Sequence, residues 1–203
     1  RIWKSEWKDP GRQVPAGALA HLKTEEQVFM EAVDIRQLAE AQQPYMVALR
    51  RRFHAEPEIS GQEFGTRETL IKELSGMGIP YTLLLGTGLI AKLEGRRPGP
   101  ARLLRSDIDA LPLEESPDNL ARPKVCVSQK PGACHACGHD AHMAMLLGTL
   151  RALSDVREHL CGTVYACFEE GEETNCGLPA MMAALDGLTI DECFALHVYS
   201  GLE

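Results

Sequence analysis

The sequence predicts an α/β domain built on a largely parallel mixed sheet flanked by helices. Short apolar runs alternate with segments of helical periodicity along most of the chain, the pattern left by a sheet whose strands are joined through helices. The composition, 44% apolar and 25% charged over 203 residues, is that of one globular domain with at most a short appendage. No internal repeat or low-complexity segment interrupts it.

Residues 1–29 stand apart from this pattern. Arg1–Gly17 holds two Trp, two Pro and two Gly with neither a helical nor a strand period. Met30 therefore reads as the natural start, and 1–29 as a non-native or disordered extension. From Met30 onward Val33, Leu38, Ala41, Tyr45, Ala48, Leu49 and Phe53 recur at helical spacings. A second helix is expected over Gln62–Met77, stopped by Gly76, Gly78 and Pro80. Three β-type runs follow, Tyr81–Leu85, Leu89–Leu93 and Ala101–Ser106. Their connections, Gly86-Thr87-Gly88 and Glu94–Pro100, predict a hairpin or meander. Asp107–Cys134 is rich in Pro, Asp and Ser and reads as a long irregular loop, a length that in a compact domain usually serves function. A helix over His139–Leu153 places Met143, Leu146, Leu147 and Leu150 on one face. Gly162–Phe168 reads as a strand, Leu178–Leu185 as a helix and Cys193–Val198 as a further buried strand.

A net charge of −8 argues against a nucleic-acid partner, whose binders display a basic face. No run approaches the roughly 18–20 apolar residues of a membrane span. The seven cysteines are an odd number. Cys161, Cys167 and Cys193 fall in apolar segments and are expected to pack as small hydrophobes. With no secretory apolar core near residue 1, a reduced, cytoplasmic protein is expected.

The chemistry concentrates between Cys134 and His142, where Cys134, His135, Cys137, His139, Asp140 and His142 fall within nine residues. A haem attachment needs His at position 138, which is Gly. A structural zinc finger separates its ligand pairs by a dozen or more residues, whereas Gly138 alone separates Cys137 from His139. A redox pair of Cys134 and Cys137 fits the spacing but leaves the histidines without a role. A purely structural cluster of packed thiols and solvated histidines is the remaining bland reading. A catalytic metal site fits better, because ligands at the C-terminal ends of parallel strands are where open α/β sheets place their sites. Glu169-Glu170-Gly171-Glu172-Glu173 follows one predicted strand, and His197 lies in the last one. Each alone is ambiguous, since a Glu run is more often a solvated loop and a strand His more often a core residue.

Several stretches together resemble the M20 metallopeptidase family, in its aminoacylase, hippurate hydrolase and auxin-conjugate amidohydrolase branch. They are Leu49–Glu58, Gly86-Thr87-Gly88, Leu104–Pro112, His135–His142, Leu146-Leu147-Gly148 and Leu196-His197-Val198, in family order. The resemblance implies a zinc-exopeptidase-like catalytic domain, of which 30–203 would be the N-terminal portion. It implies that Cys137, His139, Glu173 and His197 bind two divalent ions, Mn²⁺ or Zn²⁺, with Co²⁺ or Ni²⁺ compatible with the donors. It makes Glu172 the general base. Asp107 and Asp109 are then read as holding imidazoles in the required tautomer, the alternative being a loop pair that caps backbone amides, and His142 either as supporting a ligand or merely as a neighbour on the same helix face. One departure is that the family reads Gln-Pro-Ala where this chain has Glu169-Glu170-Gly171. The implied reaction is hydrolysis of the amide bond of small N-acyl amino acids. Dipeptidase or aminopeptidase activity on the same site and a catalytically incompetent metal-binding fragment are the alternatives. Relatives of this kind continue, after the equivalent of His197, with a smaller lid or dimerisation domain and a final ligand His. Neither is expected before Glu203, so any homo-oligomer would form through that lid in a longer parent.

Overall fold

The computed structural model describes residues 34–119 and 122–199. The sheet, the helices from Gln43 onward and the site all belong to one compact unit that begins at Gln37. The expected extension over 1–29 lies outside the described residues.

The helices are α1 (Ile35–Ala41), α2 (Gln43–Ala55), α3 (Phe64–Gly76), α4 (His139–Asp155) and α5 (Leu178–Leu185). The strands are β1 (Tyr81–Leu83), β2 (Leu89–Glu94), β3 (Arg97–Asp107), β4 (Cys161–Glu169) and β5 (Glu192–Ala195). They form one mixed sheet in the order β1-β2-β4-β3-β5. β1 with β2 and β2 with β4 are antiparallel, while β3 runs parallel to both β4 and β5. Among the described residues no helix is long and apolar enough to cross a membrane.

Successive strand residues face opposite sides, so each strand feeds two cores. Leu89, Ala91 and Leu93 of β2 and Ala166 and Phe168 of β4 join the larger one, with Leu49 and Phe53 of α2, Leu70 and Leu74 of α3, and Met143, Leu147 and Leu150 of α4. Ile90, Leu103 and Cys167 face the other way, onto Met181 of α5. Burying a Leu or Phe completely contributes about 1.5–3 kcal/mol, so the larger cluster anchors α4, the helix that opens the site.

Four sequence expectations need correction. The helical pattern from Met30 to Phe53 is split at Gln42, because Pro44 is tolerated in a first turn but has no N–H to continue a helix. The β1–β2 hairpin forms, but a meander does not continue into β3. β4 inserts between β2 and β3, a pairing chosen by a distant apolar strand and invisible to turn chemistry. The last strand is an edge strand with all four residues exposed, and it stops at Ala195. Of the three cysteines expected to pack as hydrophobes, Cys167 is buried, Cys161 half-buried and Cys193 exposed.

α2 is tied to α4 and to the long loop by His54, which is buried. Its Nδ1 stands 2.7 Å from Asp140 Oδ2 and its Nε2 3.0 Å from Glu115 Oε1. Both ring nitrogens donate only in the imidazolium. Asp140 also accepts from Arg50 Nε at 2.9 Å, and Glu115 from Lys124 Nζ at 2.9 Å and the Ser128 N–H at 2.6 Å. The Asp140 hydrogen bond, aided by Glu115, outweighs burial and raises the His54 pKa. A raised histidine contributes its full stability below its unfolded value of about 6.5 and loses it as pH rises through the folded value. His54→Ala is therefore expected to cost about 1.5–3 kcal/mol near pH 6, by removing one charged hydrogen-bond partner from each of two buried carboxylates. The cost should shrink as pH rises through the raised folded value. Urea unfolding of both proteins from about pH 6 upward measures this, and a pH-independent difference would refute the imidazolium.

Candidate metal centre

Three parallel strands end on the same side of the sheet. β3 closes on Asp107, which pairs in register with Glu169 at the end of β4, and Arg105 of β3 is level with Ala195 at the end of β5. Asp109 follows β3, a 3₁₀ turn over Glu172–Thr174 follows β4, and His197 follows β5. α4 begins beside them at His139. Its N-cap, Gly138, has φ +96°, a left-handed conformation open to glycine. Cys137 and His139, on either side of it, bring donor atoms within 4.8 Å of one another and of the Glu173 carboxylate.

His139 is the centre of the arrangement. Its Nδ1 lies 2.9 Å from the Asp109 carbonyl oxygen and 3.1 Å from Asp109 Oδ1, both acceptors, so Nδ1 carries the proton. Nε2 is buried and has no hydrogen-bond partner among the described residues, so it is open to a proton or a metal ion. Around it stand Asp107 Oδ2 at 3.5 Å, Glu173 Oε1 at 3.7 Å and Glu172 Oε2 at 3.8 Å. Burial would lower the His139 pKa, but the Asp109 hydrogen bond and the charge of Asp107 raise it, so a proton or a metal cation is favoured at this nitrogen. The donor set of thiol, imidazole and carboxylate suits a divalent transition ion.

The other residues sort by what their atoms already do. Asp109 accepts from the Ser60 hydroxyl at 2.7 Å and the Glu173 N–H at 3.1 Å, so one carboxylate orients both His139 and the Glu173 backbone. His142 Nδ1 is 2.5 Å from Asp107 Oδ1, and its Nε2 accepts the Val198 N–H at 2.9 Å, leaving neither nitrogen for an ion. His197 uses Nδ1 toward the Val198 carbonyl at 2.6 Å and keeps Nε2, 3.4 Å from Cys137 Sγ. Asp107, His139, His142 and His197 form a second group whose donor atoms all lie within 4.8 Å. The four residues expected to bind metal thus fall in two overlapping groups that share His139, and Glu172 lies beside them. Asp107 does hold an imidazole, that of His142, yet it also stands among the candidate donors.

Residues 103–203 match the profile of peptidase family M20/M25/M40. The chain is 34% identical over 178 residues to an N-acyl-L-amino acid amidohydrolase of Geobacillus stearothermophilus, covering 86% of this chain and 46% of that one. It is 37% identical over 154 residues to the IAA-amino acid hydrolase ILR1-like 5 of Arabidopsis thaliana, covering 76% of this chain and 34% of that one. The fold superposes with TM-score 0.70 and 34% identity on the Bacillus subtilis YXEP protein, described as a dinuclear metal binding peptidase from the M20 family, covering 78% and 43% of the two chains. The chain belongs to the M20 family. It spans less than half the length of these relatives.

In this M20 chain Arg105, which the sequence reading had not singled out, offsets part of the site's charge. It donates from Nε to Glu169 Oε2 at 2.7 Å and from a terminal nitrogen to Asp107 Oδ2 at 3.1 Å, and it stands 4.0 Å from Glu172 Oε1. Its only signal in the sequence was its place two residues before Asp107. Burial would raise Asp107, but the His142 hydrogen bond and the charges of His139 and Arg105 hold it below the usual carboxylate range. Burial and the neighbouring Glu173 push the Cys137 thiol up to about 11. Burial takes His135, the first histidine of the block, down to about 4, so it is neutral at pH 7.

The tight approach at Gly138 is open to test. A Cβ there would collide with Val198 Cγ2 and would force a non-glycine residue to a positive φ. Gly138→Ala is expected to destabilise the fold by about 1–2 kcal/mol. Adding Val198→Ala should recover the steric part but not the backbone part. Denaturant unfolding of both variants distinguishes these, and a neutral Gly138→Ala would contradict the geometry.

Proposed function

We propose that the protein hydrolyses the amide bond of N-acyl amino acids with two divalent ions, Zn²⁺ or Mn²⁺. Cys137, His139, Glu173 and His197 are the ligands this chain supplies, and Glu172 is the general base. The observation that carries the reading is the buried, unpartnered Nε2 of His139 among Asp107, Glu172 and Glu173. The substrate class is supported by the name of the G. stearothermophilus relative, and the pair of ions by the description of the B. subtilis structure.

When bound, such ions acidify a water and polarise the scissile carbonyl. The chain's own residues supply the rest. Glu172, half-exposed at the start of its 3₁₀ turn, accepts a proton from the attacking water and returns it to the departing amine nitrogen. Glu173 is the next residue of the same turn, and its carboxylate approaches the same His139 nitrogen, so base and ligand move as one unit. Asp109 keeps His139 in the tautomer that leaves Nε2 open. Arg105 braces Asp107 and Glu169, limiting the mutual repulsion of the site's carboxylates.

The test is metal analysis together with a screen of N-acyl amino acids on the full-length protein. Glu172→Gln is expected to retain its metal and lose about 10²–10⁴ in kcat. Undiminished turnover in Glu172→Gln, or no hydrolysis of any N-acyl amino acid by the metal-loaded protein, would overturn the reading.

A further inference from the structure

Behind the metal centre, three buried side chains meet with one hydrogen too few. Glu63 caps α3 and is fully buried, Thr87 lies in the hairpin turn at 1% exposure, and Glu170 follows β4 at 6%. Thr87 Oγ1 stands 2.6 Å from Glu63 Oε2 and 2.8 Å from Glu170 Oε2. A hydroxyl has a single proton to donate. If both carboxyls were ionised, one of these contacts would set lone pair against lone pair, and two like charges would share one buried hydroxyl. One carboxyl must therefore bring a proton of its own.

The hydrogen-bond pattern says which. Glu170 Oε2 receives both the Thr87 hydroxyl and the Gly88 N–H, the latter at 2.7 Å, as a carboxylate oxygen does. Glu63 divides its oxygens. Oε1 accepts the Gly171 N–H at 2.8 Å, while Oε2 faces the Thr87 oxygen. That is the arrangement of a carboxylic acid, with its carbonyl accepting and its hydroxyl donating. The guanidinium of Arg67 donates to the Gly86 carbonyl at 2.7 Å and forms no ion pair with Glu63 or Glu170 among the described residues. The Cys176 thiol closes the other side, where a Cβ on Gly171 would collide with it. Burial raises Glu63 above the ordinary carboxylate range, outweighing the N–H groups of Glu63, Gly61 and Gly171 and the Thr87 hydroxyl, which favour its charge.

We propose that Glu63 is a neutral carboxylic acid that locks Thr87 to Glu170 and, through its carbonyl oxygen, holds the Gly171 N–H and with it the turn carrying Glu172 and Glu173. It is a positioning residue. Gly171 has φ +59° and immediately precedes that turn, so the N–H that Glu63 grips is the last fixed point before the base. The positioning part rests on the roles given above to Glu172 and Glu173; the protonation state does not.

Two measurements test it on the chain without using turnover. Infrared spectroscopy of the metal-free protein should show the carbonyl stretch of a protonated carboxyl that persists at neutral pH. The band should disappear in Glu63→Gln and remain in Glu172→Gln. Titration with Zn²⁺ alone should show affinity about 10–100-fold weaker in Glu63→Ala and within about threefold of wild type in Glu63→Gln, whose amide restores one donor and one acceptor. Absence of the band, or its survival in Glu63→Gln, would overturn the assignment. Equal weakening by Ala and Gln would overturn the need for a neutral acid. If Glu63→Ala does not fold, the infrared result and the Gln variant still decide. If Zn²⁺ binds none of these proteins, the ligand assignment and with it the positioning part fail, while the infrared band decides the state of Glu63.

Discussion

The parallel pairing of β3 with β4 on one side and β5 on the other sets where everything else must go. It brings Asp107, Glu169 and Ala195 to the same end of the sheet, so the segments that leave those strands emerge together. α4 can then complete the arrangement from one face, because Met143, Leu147 and Leu150 are fully buried in the larger core. A shift of β3 by one residue would turn Asp107 to the other face of the sheet and dissolve the constellation. The site therefore has the precision of a ladder and a packed helix, although many of its side chains lie on turns.

What the ladder assembles is electrostatically costly. Asp107, Asp109 and Glu169 are buried close to Glu172 and Glu173, and Arg105 compensates only part of that charge. The remainder is met by hydrogen bonds to histidines and backbone N–H groups. Asp109 carries the most, receiving His139, Ser60 and the Glu173 N–H. His54 provides a similar service one layer out, between Asp140 and Glu115. Such networks contribute little net stability, because desolvation offsets much of the attraction. The fold is held by its apolar layers, and the polar network specifies which geometry those layers hold.

Much of this was legible in the sequence. The dense block from His135 to His142 and the Leu and Met spacing of α4 are local signals, and α5 matches its predicted bounds. Cys137, His139 and Glu173 do come together, and His197 approaches Cys137. What was not legible is non-local. Nothing in Glu94–Pro100 announces that a strand some 60 residues away will slip between β2 and β3. The exposure of β5 depends on its having a neighbour on only one side, which its apolar sequence conceals. The run Glu169–Glu173 looks uniformly solvated, yet Glu169 and Glu170 are buried and Glu173 is exposed. Their division of labour is set by Arg105, Thr87 and Gly88, residues contributed from other parts of the chain. Glu63 and Thr87 are 24 positions apart, and their 2.6 Å contact leaves no periodic trace.

The edge position of β5 has a thermodynamic corollary. This strand is four residues long, bonded on one side and exposed along its length, and it carries His197 two residues beyond its end. Strands of this kind open at a small fraction of the global unfolding free energy. Fraying of β5 would withdraw an imidazole, and the Val198 N–H that holds His142, while the rest of the sheet stays intact. Any ion gripped by His197 would in turn hold β5 in place, by an amount that grows with the logarithm of its free concentration. Ion binding at His197, where it occurs, and order in this strand would then be two faces of one local equilibrium.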